Sequence, residues 1–198
     1  MAVIDYSSIT ELNLYNKKLN DLPDLSVYKN LIQLDCRDNN LTYINNLPIT
    51  LKKLYCDHNN LTILDNLPYG LEDLGCGNNN IIYLDNLPAT LKILYCHVNK
   101  LTSLDNLPPA LQVLCCNDNQ ITSLDNLPVG LEKLYCIYNF ITSLDYLPYG
   151  LVILDCNYND ISRLDNLPST LQEANFNRNP LDYDFEPTLE YLHKLRKK

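Results

Sequence analysis

The chain has 198 residues, enough for one sizeable core or one elongated repeat array. Apolar residues make up 46% and charged residues 20%, which excludes a disordered chain. A net charge of −9 would repel phosphate backbones, so neither nucleic acid nor anionic membrane is expected as a partner.

Residues 1–6 carry no basic stretch followed by an apolar one, so no secretory signal peptide is expected. No apolar run approaches the ~20 residues that span a bilayer. These absences predict a soluble, cytoplasmic protein. Ile9, Leu12, Leu14, Leu19 and Leu22 open an irregular 22-residue cycle with Lys17 at its key polar position. From Leu31 a leucine returns every 20 residues, at 51, 71, 91, 111, 131, 151 and 171. Each cycle repeats L-x-x-L-x-C-x-x-N-x-L/I-x-x-L-D-N-L-P-x-x, as in Leu91-Lys92-Ile93-Leu94-Tyr95-Cys96-His97-Val98-Asn99-Lys100-Leu101. That segment resembles the leucine-rich-repeat consensus at the short end of its length range. In the last cycle Ala174 and Phe176 replace the second Leu and the Cys. Leucines three apart after Pro187, followed by basic residues, predict a short helix near 188–195.

The predicted organisation is therefore an N-terminal cap with an irregular first repeat (1–30), seven regular repeats (31–170), and a degenerate last repeat with a helical cap (171–198). The expected fold class is a leucine-rich-repeat solenoid. It has a curved parallel β-sheet on the concave side and an extended, polyproline-II-like convex side with few or no α-helices. The Pro of Leu-Asp-Asn-Leu-Pro forbids helix there, and 20 residues leave no room for one.

Strand alternation sends Leu34 and Cys36 inward and Gln33, Asp35 and Arg37 outward. The recurring Asn, from Asn39 to Asn179, should bond turn backbone in a ladder. Cys36, Cys56, Cys76, Cys96, Cys116, Cys136 and Cys156 share one inward position. Neighbours on parallel strands lie ~4.8 Å apart and point alike, whereas a disulfide wants Cβ atoms ~3.8 Å apart and zinc wants convergent ligands. Reduced thiols used as core hydrophobes are expected, with no metal and no cofactor. Cys115, one position earlier, should face out. Asp65, Asp85, Asp105, Asp125, Asp145 and Asp165 should cap turn N–H groups with their carboxylates.

Function in a solenoid resides in the variable outward residues. Early cycles present a mixed polar set: Gln33, Asp35, Arg37, Asp38, Lys53, Asp57 and His58. The third, with Gly75, Gly77 and Asn78, reads as almost bare. Later cycles offer Ile93, Tyr95, Val98, Val113, Cys115, Tyr135, Ile137, Tyr138, Phe140, Ile153 and Tyr158, with Tyr55 as an outlying extension. An apolar, tyrosine-rich region within polar surroundings has the composition of a protein-binding patch. His58 beside Asp57 and His97 near Cys115 lack a complete set of nucleophile, base and oxyanion donors, so an enzyme is not expected.

Leu101-Thr102-Ser103-Leu104-Asp105-Asn106-Leu107-Pro108 and its copies resemble the 20-residue repeats of secreted bacterial effectors. Some of those carry a C-terminal ubiquitin-ligase domain. With 18 residues after position 180, that activity is not expected here. The Asn-, Tyr- and Ile-rich wording, with Cys in the strand, is also similar to leucine-rich-repeat proteins of giant, mimivirus-type viruses. Both resemblances imply an interaction scaffold. The viral one implies host or virion proteins as partners and the host cytoplasm as location. A structural or self-associating homodimer is the alternative.

Overall fold

The structure is a computed structural model that describes residues 6–182. Nine strands form one parallel sheet in chain order: β1 (Glu11–Asn13), β2 (Gln33–Asp35), β3 (Lys53–Tyr55), β4 (Asp73–Gly75), β5 (Ile93–Tyr95), β6 (Val113–Cys115), β7 (Lys133–Tyr135), β8 (Ile153–Asp155) and β9 (Glu173–Asn175). Leu12 lies opposite Leu34, and from there each central leucine pairs with the residue one 20-residue cycle on, Leu34 with Leu54 and so to Leu154 with Ala174. Among the described residues there is no helix, so the convex side is extended, as the proline spacing predicts. The helix expected near 188–195 lies outside the described residues.

Three inward positions per cycle build the core. Leu91, Leu94 and Leu101 are fully buried, and their equivalents repeat this along the array. Burying each such leucine is worth about 1.5–3 kcal/mol. No single cycle could enclose these side chains, so each depends on its neighbours. The asparagines join cycle to cycle. Asn99 Nδ2 donates to the carbonyls of Cys96 (3.1 Å) and His97 (3.3 Å) in its own turn and of Cys76 (3.0 Å) in the preceding one. Its Oδ1 accepts the Ile81 N–H at 2.9 Å. The same pattern recurs at Asn59, Asn79, Asn119, Asn139 and Asn159.

All eight cysteines are free thiols, and the seven in register are buried. Burial pushes the Cys36 thiol up to about 12 and the others in the ladder upward too, so no thiolate forms at neutral pH. The Cys56 sulfur donates to the Gly75 carbonyl at 3.2 Å, and Cys96, Cys116 and Cys156 reach the next strand in the same way. Cys therefore adds a weak polar tie that Leu or Val could not.

The convex turn differs from expectation in one respect. Its conformational demand falls on the residue two before the Leu-Pro proline, which follows Asp in every cycle here but the first: Asn46 (after Asn45), Asn66, Asn86, Asn106, Asn126 and Asn166 all have φ between 52° and 64°. Asparagine tolerates this left-handed region because its short amide bonds locally. At Asp145 the carboxylate accepts from the Ser143 hydroxyl (2.7 Å) and the Asn166 amide (3.2 Å), not from turn backbone. That cycle has Tyr146 in place of Asn, and its backbone there is not left-handed.

Candidate functional site

The outward strand positions divide the concave face into two regions. In the later one, register places Ile93 beside Val113 and Tyr95 beside Cys115, which is followed by Tyr135. Lys133 interrupts the first of these rows before Ile153, and Asp155 ends the second. Beyond the strands, Tyr138 and Tyr158 stack with ring centres 4.2 Å apart and planes 20° from parallel. The Arg178 guanidinium lies 6.0 Å from the Tyr158 ring. Hydrogen bonding to Tyr158, followed by burial, raises the Tyr138 phenol. Phe140 completes a shallow depression with the stacked pair and is 53% exposed.

Of the twelve residues singled out in the sequence, Tyr95, Val98, Tyr138, Phe140 and Tyr158 are exposed. Tyr55, Ile93, Val113, Cys115, Tyr135, Ile137 and Ile153 are half-buried. None is in the core. Two stand apart from the rest: Asp118 separates Val98 from Tyr138 in their row, and Gly75 separates Tyr55 from Tyr95. Cys115 faces out as expected, but burial raises its thiol.

Val98, Tyr138 and Tyr158 share a further property. Their row leaves the strand in left-handed backbone, with φ of 52° to 54° at these three residues. Asp38, His58, Asn78, Asp118 and Arg178 hold the same conformation at equivalent positions, and all of these but Arg178 are residue types that tolerate it. A β-branched valine or a bulky tyrosine costs roughly 1–2 kcal/mol there.

The earlier region is the part that the sequence reading misjudged. It is not bare at Gly75 and Gly77, because side chains from both flanking strands lean over them. A Cβ on Gly75 would lie 2.6 Å from Asp57 Oδ2, and one on Gly77 only 2.3 Å from the His97 ring. Asp57 Oδ1 accepts the Gly77 N–H at 2.9 Å. Burial raises the Asp57 carboxyl, and that hydrogen bond only partly offsets the shift. His97 Nε2 meets the Asn78 amide at 3.2 Å, while its Nδ1 is buried with no hydrogen-bond partner. Gly75, Asp57, His58 and His97, with Tyr15, Arg37, Tyr55 and Tyr95, line a cleft of about 440 Å³. Arg37 is clamped on Asp35 by two bonds, Nη2–Oδ2 at 2.6 Å and Nε–Oδ1 at 2.9 Å. Its guanidinium lies 5.8 Å from the Tyr15 ring and 5.6 Å from the Tyr55 ring. Burial, aided by the hydrogen bond that Tyr55 donates to Asp73 Oδ2 at 2.9 Å, pushes the Tyr55 phenol up to about 12. Tyrosines one cycle to either side of a glycine were the available signal in the sequence.

The most exposed apolar side chains lie elsewhere, in the turns before the strands: Tyr149 (91%), Val129 (89%), Tyr69, Tyr146 and Ile49. The outward-strand reading did not include this row. Among the described residues no group of three or more His, Cys, Asp or Glu is placed to hold a metal ion, and no helix is long and apolar enough to cross a membrane.

No protein-family model and no curated protein matches the chain. Solved structures do. YopM from Yersinia enterocolitica WA-314 is 32% identical, with a TM-score of 0.84 over 93% of this chain and 40% of that one. A Shigella effector LRR domain is 28% identical, with a TM-score of 0.55 over 96% of this chain and 75% of that domain. The functional domain of InlJ from Listeria monocytogenes, which includes a cysteine ladder, is 23% identical, with a TM-score of 0.59 over 95% of this chain and 57% of that one. At that identity the InlJ likeness shows the fold alone. The chain thus spans well under two thirds of YopM and of the InlJ domain.

Proposed function

From the premise that the chain is a leucine-rich-repeat protein of 20-residue repeats, we propose that it is an interaction module that binds a protein partner through its concave face. The surface used is the late region of Ile93, Tyr95, Val98, Val113, Cys115, Tyr135, Ile137, Tyr138, Phe140, Ile153 and Tyr158, with Tyr55 at its margin. The observation that carries this reading is the left-handed backbone at Val98, Tyr138 and Tyr158. Folding alone favours Asn, Asp or Gly at those positions. Retaining large apolar side chains there, exposed and at a conformational cost, is explained by a contact made outside the chain. Aromatic anchors surrounded by Asp118, Lys133, Asp155 and Asp160 supply the apolar centre and polar rim of an interface.

The partner in this proposal is a host or virion protein met in the host cytoplasm, as the likeness to mimivirus-type repeat proteins implies. Residues 1–30 and 171–198 serve as the caps that close the ends of the array. No catalytic role is assigned to His58 or His97.

The test is Tyr95→Ala combined with Tyr135→Ala, both outward and neither in the core. Quantitative pull-downs from host lysate should show a partner retained by the wild type and lost at least tenfold by the variant, since anchors of this kind contribute about 2 kcal/mol each. Thermal stability should change by less than about 0.5 kcal/mol. Equal capture by both forms would remove the late region from the interface. Light scattering that shows a concentration-dependent dimer would instead make a second copy the occupant.

A further inference from the structure

We propose that the ridge of exposed apolar side chains on the turns before the strands docks a cationic amphipathic helix of another protein. The helix would lie along the array, one turn to each cycle. Its apolar side chains would cover the ridge, and its lysines or arginines would face a parallel row of aspartates. This surface is separate from the concave face, and the inference does not rest on that reading.

Ile49, Tyr69, Ala89, Pro109, Val129 and Tyr149 occupy one column, the residue after the Leu-Pro proline, and all six are exposed. Their place in the fold does not call for apolar side chains. Each sits second in a turn closed by a backbone hydrogen bond, and that position accepts most residue types. The bond recurs at all six at 3.0–3.1 Å, as from the Leu71 N–H to the Pro68 carbonyl, so the ridge is held firmly. Tyr146 widens its late end, where it lines one depression with Tyr149, Asp145 and Asn166. Tyr69, Tyr146 and Tyr149 alone expose roughly 400–600 Å², the range in which an apolar patch on a monomer signals an interaction site.

Charge identifies the occupant. Four residues before the ridge runs the column of Asp65, Asp85, Asp105 and Asp125, all exposed. Asp145 of that column shares a depression with Tyr149, so the two columns run side by side. Among the described residues no ion pair engages those four carboxylates, whereas Asp165 is paired with Arg163 at 2.8 Å. On the other flank, Lys52 and Lys92 share Glu72, at 3.4 and 2.8 Å. Unpaired negative charge therefore lies on one side of the ridge only. A complementary partner carries apolar side chains in one line and cations in the next. An amphipathic helix has both lines, and its pitch of ~5.4 Å is close to the ~4.8 Å between cycles at the sheet. A strand repeats a face only every ~6.8 Å and would lose register. From Tyr69 to Tyr149 is four cycle spacings, ~20 Å, or about 14 helical residues.

The test uses the full chain, isotope-labelled for NMR, and three synthetic peptides of about 14 residues. One has Leu and Lys in a helical pattern, the second has Glu for each Lys, and the third has Ser for each Leu. The Leu/Lys peptide should shift the Tyr69, Gly130 and Tyr149 amides and bind at least about tenfold tighter than either control. Tyr69→Ser combined with Tyr149→Ser should weaken it about tenfold with the melting temperature unchanged. Asp105→Asn combined with Asp125→Asn should weaken it about threefold. Equal binding of the Leu/Glu peptide, shifts that bypass the ridge, or full affinity in the tyrosine variant would overturn the proposal. If a variant does not fold, the three peptides on the wild type decide the matter. Broadening of the ridge amides with protein concentration alone would overturn it in favour of a second copy. The Tyr95→Ala, Tyr135→Ala variant should bind the Leu/Lys peptide as the wild type does. A loss there would place the helix on the concave face instead, whereas a silent ridge leaves capture by the late region standing.

Discussion

Around β2 to β5 the outward side chains bond one another: Arg37 to Asp35, Tyr55 to Asp73, Asp57 to the Gly77 backbone and His97 to Asn78. Around β6 to β8 and the turns that follow, Asn117 still accepts the Ile137 N–H at 2.8 Å, but the apolar side chains stack or stand free, as Tyr138 does on Tyr158 and as Phe140 does beside them. Beneath both regions the leucines, thiols and asparagine ladder are the same. The difference shows that a repeat frame fixes where outward side chains start but not what they do. Polar groups on adjacent strands satisfy each other and close over a gap, whereas apolar ones have only packing to gain and remain available to a partner.

If that comparison holds, the frame must respond equally in both regions. Asn59→Ala in the early region and Asn139→Ala in the late one each remove the acceptor of a buried N–H, that of Leu41 and of Ile121, and donors to several carbonyls. Each should cost about 3 kcal/mol in urea unfolding. A gap above about 1 kcal/mol between them would mean that the two regions differ in the core as well.

A smaller effect should separate the surfaces. Arg37→Ala strips a nearly buried carboxylate of its partner and should cost about 1–2 kcal/mol at neutral pH. Burial tends to raise the Asp35 carboxyl, but the Arg37 hydrogen bonds outweigh it and hold the folded value below 3.8. The carboxylate's contribution is therefore present above pH 3.8 and is lost as pH falls through the lower folded value. Thermal unfolding of wild type and variant should accordingly converge in acid. A difference independent of pH would locate the effect in the packing of Arg37 on the tyrosine rings.

In the late region the sign should reverse. Val98→Asn relieves left-handed strain and should stabilise the fold by about 1 kcal/mol, measured by denaturant unfolding, while weakening partner capture. A destabilised Val98→Asn would show that the valine is retained for packing within the chain. The smallest effect concerns thiols. Of eight cysteines, only Cys115, on the late strands, should react with a thiol reagent in the native protein, with the other seven silent until unfolding. Early modification of Cys56 or Cys76 would show that the early cleft opens to the core.

Most of the frame was legible because each of its interactions repeats at one spacing. A leucine, cysteine or asparagine that recurs every 20 residues occupies one structural column, so Leu94, Cys96 and Asn99 could be assigned to strand, core and turn from one line of text. The late aromatic residues were legible for the same reason, as departures within outward columns. The cleft was not. Its members come from five cycles, Tyr15 to His97, and it is made by side chains that reach across columns, as Asp57 does to Gly77. The left-handed turn asparagines were not legible either, because Asp and Asn both suit turns and only backbone dihedrals show which of the two is left-handed.

By itself, then, the sequence determined the parallel solenoid, the reduced thiol ladder, the asparagine ladder and the residues of the outward columns, because hydrophobic burial and backbone hydrogen bonding at a fixed period leave one arrangement. Only the tertiary structure decided that Gly75 lines a cleft with tyrosines and Asp57 while His97 covers Gly77, and that Val98, Tyr138 and Tyr158 hold left-handed backbone. Those outcomes depend on dihedral angles and on contacts between neighbouring cycles, which no single column of residues encodes.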